Sequence, residues 1–249
     1  MTCEPNEARA GVPVLAGRVI LISGAHGGLG AAAARACAAA AANVVLLGRR
    51  VPQLERVYDE LAAIGPQPAI FPIDLEGASP ADYADMVQRL RGEFGRLDGV
   101  LHCAAEFRGL SPLELTEALD FARTLHVNLT APWLLSQACL PLLREASDAA
   151  LVFVLDDRQQ VGRAYWGAYG VAEHALAGLV AILSDELDNS PVRVSALQPG
   201  PMRTALRARA HFGVDPAQWP EPAHYAPALV HLLSAAGAEH RGRIWSPSL

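Results

Sequence analysis

Residues 18–42 read RVILISGAHGGLGAAAARACAAAAA. Val19 to Ile22 is a continuous apolar run of strand length, and Ser23 closes it. A run without polar alternation is expected where a strand is buried on both faces of a sheet. From Leu29 to Ala42 the composition changes to alanine, the strongest helix former. Between the two lie Gly24, Gly27, Gly28 and Gly30. Glycine there permits a tight turn and lets the backbone come close to another group. The start of the following helix offers unpaired N–H groups and a partial positive charge, which suits a pyrophosphate. Ala31–Ala34 and Ala38–Ala42 also remove side-chain bulk, so this helix can lie close against a sheet.

The same alternation continues outward along the chain. Strands are expected at Arg18–Ser23, Asn43–Leu47, Ala69–Ile73, Gly99–Cys103, Ala150–Leu155 and Val192–Leu197, with a last edge strand at Arg243–Trp245. Helices are expected at Leu29–Ala42, Gln53–Ile64, Pro80–Phe94, Tyr165–Leu187 and Pro222–Ser234, with a short one near Met202. A long helical region, broken once, is expected from Pro112 to Leu143. Apolar strands separated by crossover helices imply an α/β fold: a doubly wound parallel sheet with helices on both faces. With no repeat or linker to divide the chain, residues 17–249 are read as a single domain behind a flexible lead-in at 1–16.

The chain has 249 residues, of which 51% are hydrophobic and 18% charged, enough to bury a sizeable core. Its net charge of −6, with no basic run, argues against nucleic acid or an anionic membrane as partner. Cys3, Cys37, Cys103 and Cys139 show neither metal-ligand nor redox spacing, so reduced thiols and a cytoplasmic location are expected, with no metal site. Glu4, Glu7 and Arg9 stand where a secretory signal would be apolar, and no membrane span is expected.

The spacing Ser23-Gly24-x-x-x-Gly28-x-Gly30 resembles the Thr-Gly-x-x-x-Gly-x-Gly loop of the short-chain dehydrogenases/reductases. The resemblance runs from Gly17 to about Trp245 and implies a seven-stranded Rossmann-type sheet and a nicotinamide cofactor. On it, Ser23, Gly24, His26, Gly28, Leu29, Gly30 and Ala104 are candidate cofactor contacts. At the end of the second strand, Gly48 leaves space and Arg49 follows where an acidic residue would bind the ribose. Arginine matches a 2′-phosphate by charge and fork geometry, so the implied cofactor is NADP(H). Asp74 and Leu75 match the family's adenine-contacting pair, and Pro199-Gly200-x-x-x-Thr204 matches its nicotinamide-facing segment.

The family transfers hydride together with a proton that passes through a tyrosine. A phenol near pKa 10 acts at neutral pH only when its anion is favoured. The family places a lysine four residues further along the same helix face, and a serine thirteen residues before the tyrosine. Tyr169, in Trp166-Gly167-Ala168-Tyr169, and Asn128, in His126-Val127-Asn128, match the family's tyrosine and asparagine segments. The lysine position holds Glu173 and the serine position Asp156. Both replacements disfavour a tyrosinate and oppose the negative charge of carbonyl reduction. The expected function is therefore an NADP(H)-binding protein impaired in standard turnover. The alternative is an active oxidoreductase of narrow or altered substrate range.

Arg158 or Arg163 is expected to neutralise Glu173, and a minor reading joins Asp156 and Glu173 to His102 or His174 as an acid–base pair or metal site. Residues 201–222 are expected to form a mobile cover over the pocket, with Arg203, Arg207, Arg209, His211, Phe212 and Trp219 giving it cationic and aromatic character for a small-molecule ligand. The apolar helices at 112–143 and 165–187 resemble the family's pairing helices, which implies a homodimer or homotetramer.

Overall fold

The first apolar run forms β1 (Val19–Ser23) and the alanine run forms α1 (Gly28–Ala39). The structure is a computed structural model that describes residues 12–247. Of the lead-in at 1–16, residues 1–11, with Cys3, Glu4, Glu7 and Arg9, lie outside the described residues. Leu15, near the end of that stretch, is fully buried and its N–H donates to Ala40 O at 3.2 Å. α1 ends earlier than its alanines predict. Ala41 turns into the left-handed region (φ 66°), and the N–H groups of Ala41 and Ala42 close on the carbonyls of Ala38 and Cys37. The chain has to come back beside β1, and that tertiary demand outweighs helix propensity.

The alternation then runs β2 (Asn43–Gly48), α2 (Val51–Ala62), β3 (Ala69–Pro72), α3 (Pro80–Phe94) and β4 (Gly99–His102). α3 has the bounds that its sequence predicts. Ser79 and Asp82 form a reciprocal cap at its start, and Gly95 (φ 70°) ends it. The long region after β4 resolves into a single 3₁₀ turn (Leu113–Leu115), α4 (Ala118–Leu125), a widened π turn (His126–Thr130) and α5 (Ala131–Leu143). Pro132 has no N–H for the carbonyl four residues back, and the widened turn lies directly before it. The order closes with β5 (Ala149–Val154), α6 (Arg158–Val161), α7 (Gly167–Glu186), β6 (Val192–Leu197), α8 (Ala205–Ala210), α9 (Ala226–Leu233) and β7 (Ile244–Trp245).

All seven strands run parallel in the order β3-β2-β1-β4-β5-β6-β7, a Rossmann-type doubly wound sheet. Alternate residues of each strand feed opposite cores. Val19 and Leu21 pack with α3, α5 and α7, whereas Ile20 and Ile22 pack with α1, α2 and α9. The winding direction reverses between β1 and β4, and a crevice opens there at the carboxyl ends of the strands. Two glycines make the junction feasible. A Cβ on Gly24 (φ 65°) would lie 2.7 Å from Ala104 Cα, and one on Gly30 would lie 2.3 Å from Gly24 O.

α7 is the one helix among the described residues that is long and apolar enough to cross a membrane. Its Tyr169, Glu173 and Leu176 are buried and face the crevice, so here it is a core helix.

The Gly30 contact is with backbone and cannot be relieved by a rotamer change. Gly30→Ala is expected to cost about 1–3 kcal/mol, read as a lower midpoint in chemical denaturation. An unchanged midpoint would show that the loop has another way to pack.

Candidate active site

The crevice at the β1/β4 reversal is a cavity of about 320 Å³. Gly24, His26, Gly28, Leu29, Gly30, Arg49, Asp74, Leu75, Ala104, Pro199, Gly200 and Thr204 all line it, as do Asn128, Asp156, Tyr169 and Glu173. Of the expected cofactor and catalytic residues only Ser23 stands outside the wall. It is buried, and its Oγ accepts a hydrogen bond from Ala104 N–H at 3.5 Å, which ties β1 to the segment after β4.

One end of the cavity brings together His26, Arg49, Asp74 and Glu106. A Cβ on Gly48 would strike His26 Nδ1 at 2.7 Å, so glycine is what lets the His26 ring lie over the end of β2. Burial, then the charges of Arg50 and Arg49, hold the His26 pKa below its ordinary value. Arg49 is half-exposed and only loosely engaged, 3.7 Å from both Asp74 and Glu106.

At the other end the side chains are tightly interlocked. Asn128 sits in the π turn. Its Nδ2 donates to Glu106 O at 2.8 Å and to Thr124 O at 3.0 Å, and its Oδ1 accepts from Glu106 N–H at 2.8 Å. Asn128 therefore pins the loop that follows β4. Tyr169 packs against Phe107 (ring centroids 5.2 Å apart) and Trp166 (5.9 Å). Its hydroxyl donates to Asp156 Oδ2 at 3.3 Å. Glu173, one helical turn on, is buried and accepts the Asp156 N–H at 2.8 Å. The residue at the lysine position is thus fastened to the strand-end residue at the serine position.

These contacts set the protonation states. Burial, helped by the nearby Asp156 carboxylate, pushes Glu173 up to about 7. Burial, then Glu173 and Asp156, raise the Tyr169 hydroxyl well above the ordinary phenol value, and the phenol stays protonated.

Of the two arginines expected to neutralise Glu173, Arg158 acts on it by its charge alone, which lowers the Glu173 pKa without overcoming burial. Arg163 is exposed and Arg158 forms no ion pair with Glu173. Arg207 of α8 is buried instead, with its Nη2 3.4 Å from Asp156 Oδ1 and its Nη1 donating to His211 Nε2 at 3.1 Å. Within residues 201–222, Thr204 caps α8 by accepting Arg207 N–H at 3.2 Å, and Met202, Leu206 and Arg209 face the cavity. Arg203 turns away to pair with Glu221 at 2.9 Å, and Phe212 points to solvent. Arg207 as the counter-ion of Asp156 carries no sequence signal, because the two lie 51 residues apart.

His102 lines the cavity, but neither it nor His174 is bonded to these carboxylates. His102 stacks on Phe153 at 4.5 Å and sits 3.0 Å from Ser136 Oγ, while Ser136 donates to Pro132 O. Burial drives His102 down to about 3, so it is a neutral ring that donates from Nε2. His174 Nδ1 bonds Gly170 O at 2.8 Å, away from the cavity. Burial raises the thiols of Cys37 and Cys139 to about 12 and that of Cys103 higher still, and all three are unpaired.

A parallel seven-stranded sheet with a glycine-lined crevice at its reversal defines a dinucleotide-binding α/β protein. Comparison with known proteins makes this specific. The family model for short chain dehydrogenases matches residues 18–212. The uncharacterized oxidoreductase YciK of Escherichia coli K12 is 35% identical over 217 residues, 87% of this chain and 86% of that protein. A protein described as a short chain dehydrogenase from Pseudomonas syringae superposes with a TM-score of 0.90 at 41% identity, covering 95% of this chain and 97% of that one. Another so described, from Escherichia coli CFT073 in complex with NADPH, gives a TM-score of 0.90 at 33% identity over 95% and 98% of the two chains. This chain belongs to the short chain dehydrogenase family, whose members are oxidoreductases that bind a nicotinamide cofactor.

The raised Glu173 pKa makes stability depend on pH. A carboxyl that titrates near 7 when folded and near 4.5 when unfolded contributes stability that is complete below about pH 4.5. That contribution is lost as pH rises through 7. Glu173→Gln, whose amide oxygen can still accept the Asp156 N–H, is expected to remove this loss. At about pH 8 the variant should be more stable than the parent by on the order of 3 kcal/mol, with no gain at about pH 4. Parallel denaturation curves across that range would overturn the assignment.

Proposed function

We propose that this chain is an NADP(H)-binding member of the family in which standard carbonyl reduction and alcohol oxidation are held down by Glu173 and Asp156. The observation that carries this reading is the Glu173 carboxyl, buried at the lysine position and bonded to the Asp156 backbone. Where the family keeps an ammonium to favour the tyrosinate, this chain has a group that is neutral or negative around pH 7. Tyr169 keeps its proton and spends it on Asp156. Asp156, where a hydroxyl would polarise the substrate carbonyl, repels developing negative charge, and Arg207 offsets that only in part at 3.4 Å.

The residues fit the cofactor. Gly24, Gly28 and Gly30 leave the backbone bare at the start of α1, where a pyrophosphate can approach unpaired N–H groups. Arg49, with His26 beside it, is placed for a 2′-phosphate. Asp74 and Leu75 border the adenine end, Ala104 the middle, and Pro199, Gly200 and Thr204 the nicotinamide end. When bound, the cofactor supplies or accepts a hydride. This chain's own residues bind and orient it, and they hold the tyrosine proton in place. The NADPH complex of the Escherichia coli CFT073 relative supports the choice of cofactor.

A second reading rests on the Glu173 carboxyl titrating near 7. A group that exchanges a proton at neutral pH, one turn from Tyr169, can serve as the acid–base partner for a narrow substrate range. Leu119, Trp133, Val171 and Ile182, exposed on α4, α5 and α7, support a homodimer or homotetramer. A single domain at 17–249 and a cytoplasmic location complete the proposal.

NADPH titration, followed by fluorescence or calorimetry, is expected to give clear binding. Arg49→Ala should weaken it by about 10- to 100-fold and leave NADH binding nearly unchanged. Equal loss for both cofactors would remove Arg49 from the 2′-phosphate.

The double variant Asp156→Ser with Glu173→Lys restores the family's residues. It is expected to raise NADPH-dependent reduction of simple aldehydes and ketones by about 100-fold or more. Rapid turnover by the unaltered chain, abolished by Tyr169→Phe, would sink the impaired-turnover reading in favour of the second.

A further inference from the structure

Outside the crevice, two imidazoles and a carboxylate converge at the edge of the sheet. His231 comes from α9, and Glu239 and His240 come from the 3₁₀ turn Ala235–His240 that follows it. Glu239 Oε1 lies 2.9 Å from His231 Nε2 and 3.6 Å from His240 Nε2, and the ligand atoms of all three lie within 4.8 Å of one another. Among the described residues this is the one place where three such groups meet.

Trp245 of β7 walls the cluster on one side. The His240 ring stacks on it with centroids 4.2 Å apart and planes 17° from parallel, and the His231 ring lies 5.5 Å away. The two imidazoles are 5.3 Å apart, centroid to centroid. The aromatic wall fixes the direction of His240 without using its Nε2. Glu239 is largely exposed, so one side of the cluster stays open to solvent.

We propose that His231, Glu239 and His240 form a binding site for a divalent metal ion of the zinc type. The chemistry of the donors fits, since two imidazole nitrogens and one carboxylate oxygen are a recurrent zinc set when water fills a fourth position. The spacing fits as well. Ligand atoms about 2.0–2.2 Å from a tetrahedral ion lie about 3.3 Å from one another, and the two observed contacts at 2.9 and 3.6 Å bracket that value. An ordinary ion pair accounts for the first contact but not for the second imidazole turned onto the same oxygen.

The site has a mechanical consequence. β7 is two residues long and holds β6 through the pairs Ala196↔Ile244 and Leu197↔Trp245. Gln198 N–H also donates to Trp245 O at 2.8 Å, and Gln198 leads directly into Pro199 and Gly200 of the cavity wall. An ion joining α9 to the turn that packs on Trp245 would fasten the sheet edge behind that wall.

The test uses the full-length chain, without an affinity tag, stripped with a chelator and titrated with Zn²⁺ alone in a calorimeter. One Zn²⁺ per chain, with micromolar or tighter affinity, is expected. His231→Gln, Glu239→Gln and His240→Gln should each weaken binding at least about tenfold. Co²⁺ should give the visible absorption of a tetrahedral N/O site in the parent and not in the variants. NADPH binding and circular dichroism of the variants report that they are folded, because none of the three residues lines the crevice. Zn²⁺ should also raise the melting temperature of the parent and not of His240→Gln. The proposal is overturned by the absence of Zn²⁺ binding, or by binding that all three variants retain, which would place the ion elsewhere.

Discussion

The close approach of bare backbone at the β1–α1 turn is the constraint from which the rest of the site follows. Gly24 lies so near Ala104, and Gly30 so near the Gly24 carbonyl, that a single Cβ at either position has nowhere to go. This contact brings the amino end of α1 over the carboxyl ends of β1 and β4, at the reversal of winding. The alanines of α1 serve the same end, because Ala31, Ala33 and Ala34 are buried in the core shared with the sheet and carry little side-chain bulk. Everything that lines the cavity is placed relative to that junction.

The opposite end is governed by the sharing of protons among buried acids. Tyr169, Asp156 and Glu173 meet there, so that a phenol is set beside two carboxyl groups. Burial disfavours every ionised form, and with two acids beside it the phenol holds its proton. Arg207 stabilises Asp156, the more exposed of the two carboxylates, and leaves Glu173 to titrate near 7. The polar groups are therefore well bonded as a structure while being poorly arranged to stabilise a tyrosinate. A glycine-lined crevice and a cluster of buried acids thus share one cavity.

The fold was legible because its signals are local. Apolar strand runs, the switch to alanine at residue 31, the Ser79–Asp82 cap and Gly95 each act within a few residues, and α3 follows them at both ends. Departures arise where the chain answers to distant neighbours. α1 stops at Ala39 because the chain must turn back to β2. The wall of the crevice was legible for the same reason as the fold, since its residues sit at strand ends and in the loop after β1. Ser23 is the exception: as a strand end it turns inward to Ala104 rather than toward the cavity.

By itself the sequence determined the doubly wound α/β class, the glycine turn, the arginine at the end of the second strand, and the presence of Glu173 and Asp156 where other chemistry is usual. Only the tertiary structure decided what those acids do. The hydrogen bond from Asp156 N–H to Glu173, the pairing of Asp156 with Arg207 rather than Glu173 with Arg158 or Arg163, and the stacking of His102 on Phe153 join residues distant in the chain. The convergence of His231, Glu239 and His240 on the Trp245 face was equally silent in the sequence. Residue identity sets which charges and donors exist. Their partners and their burial, and hence which of them keep a proton, depend on distances that only the folded chain defines.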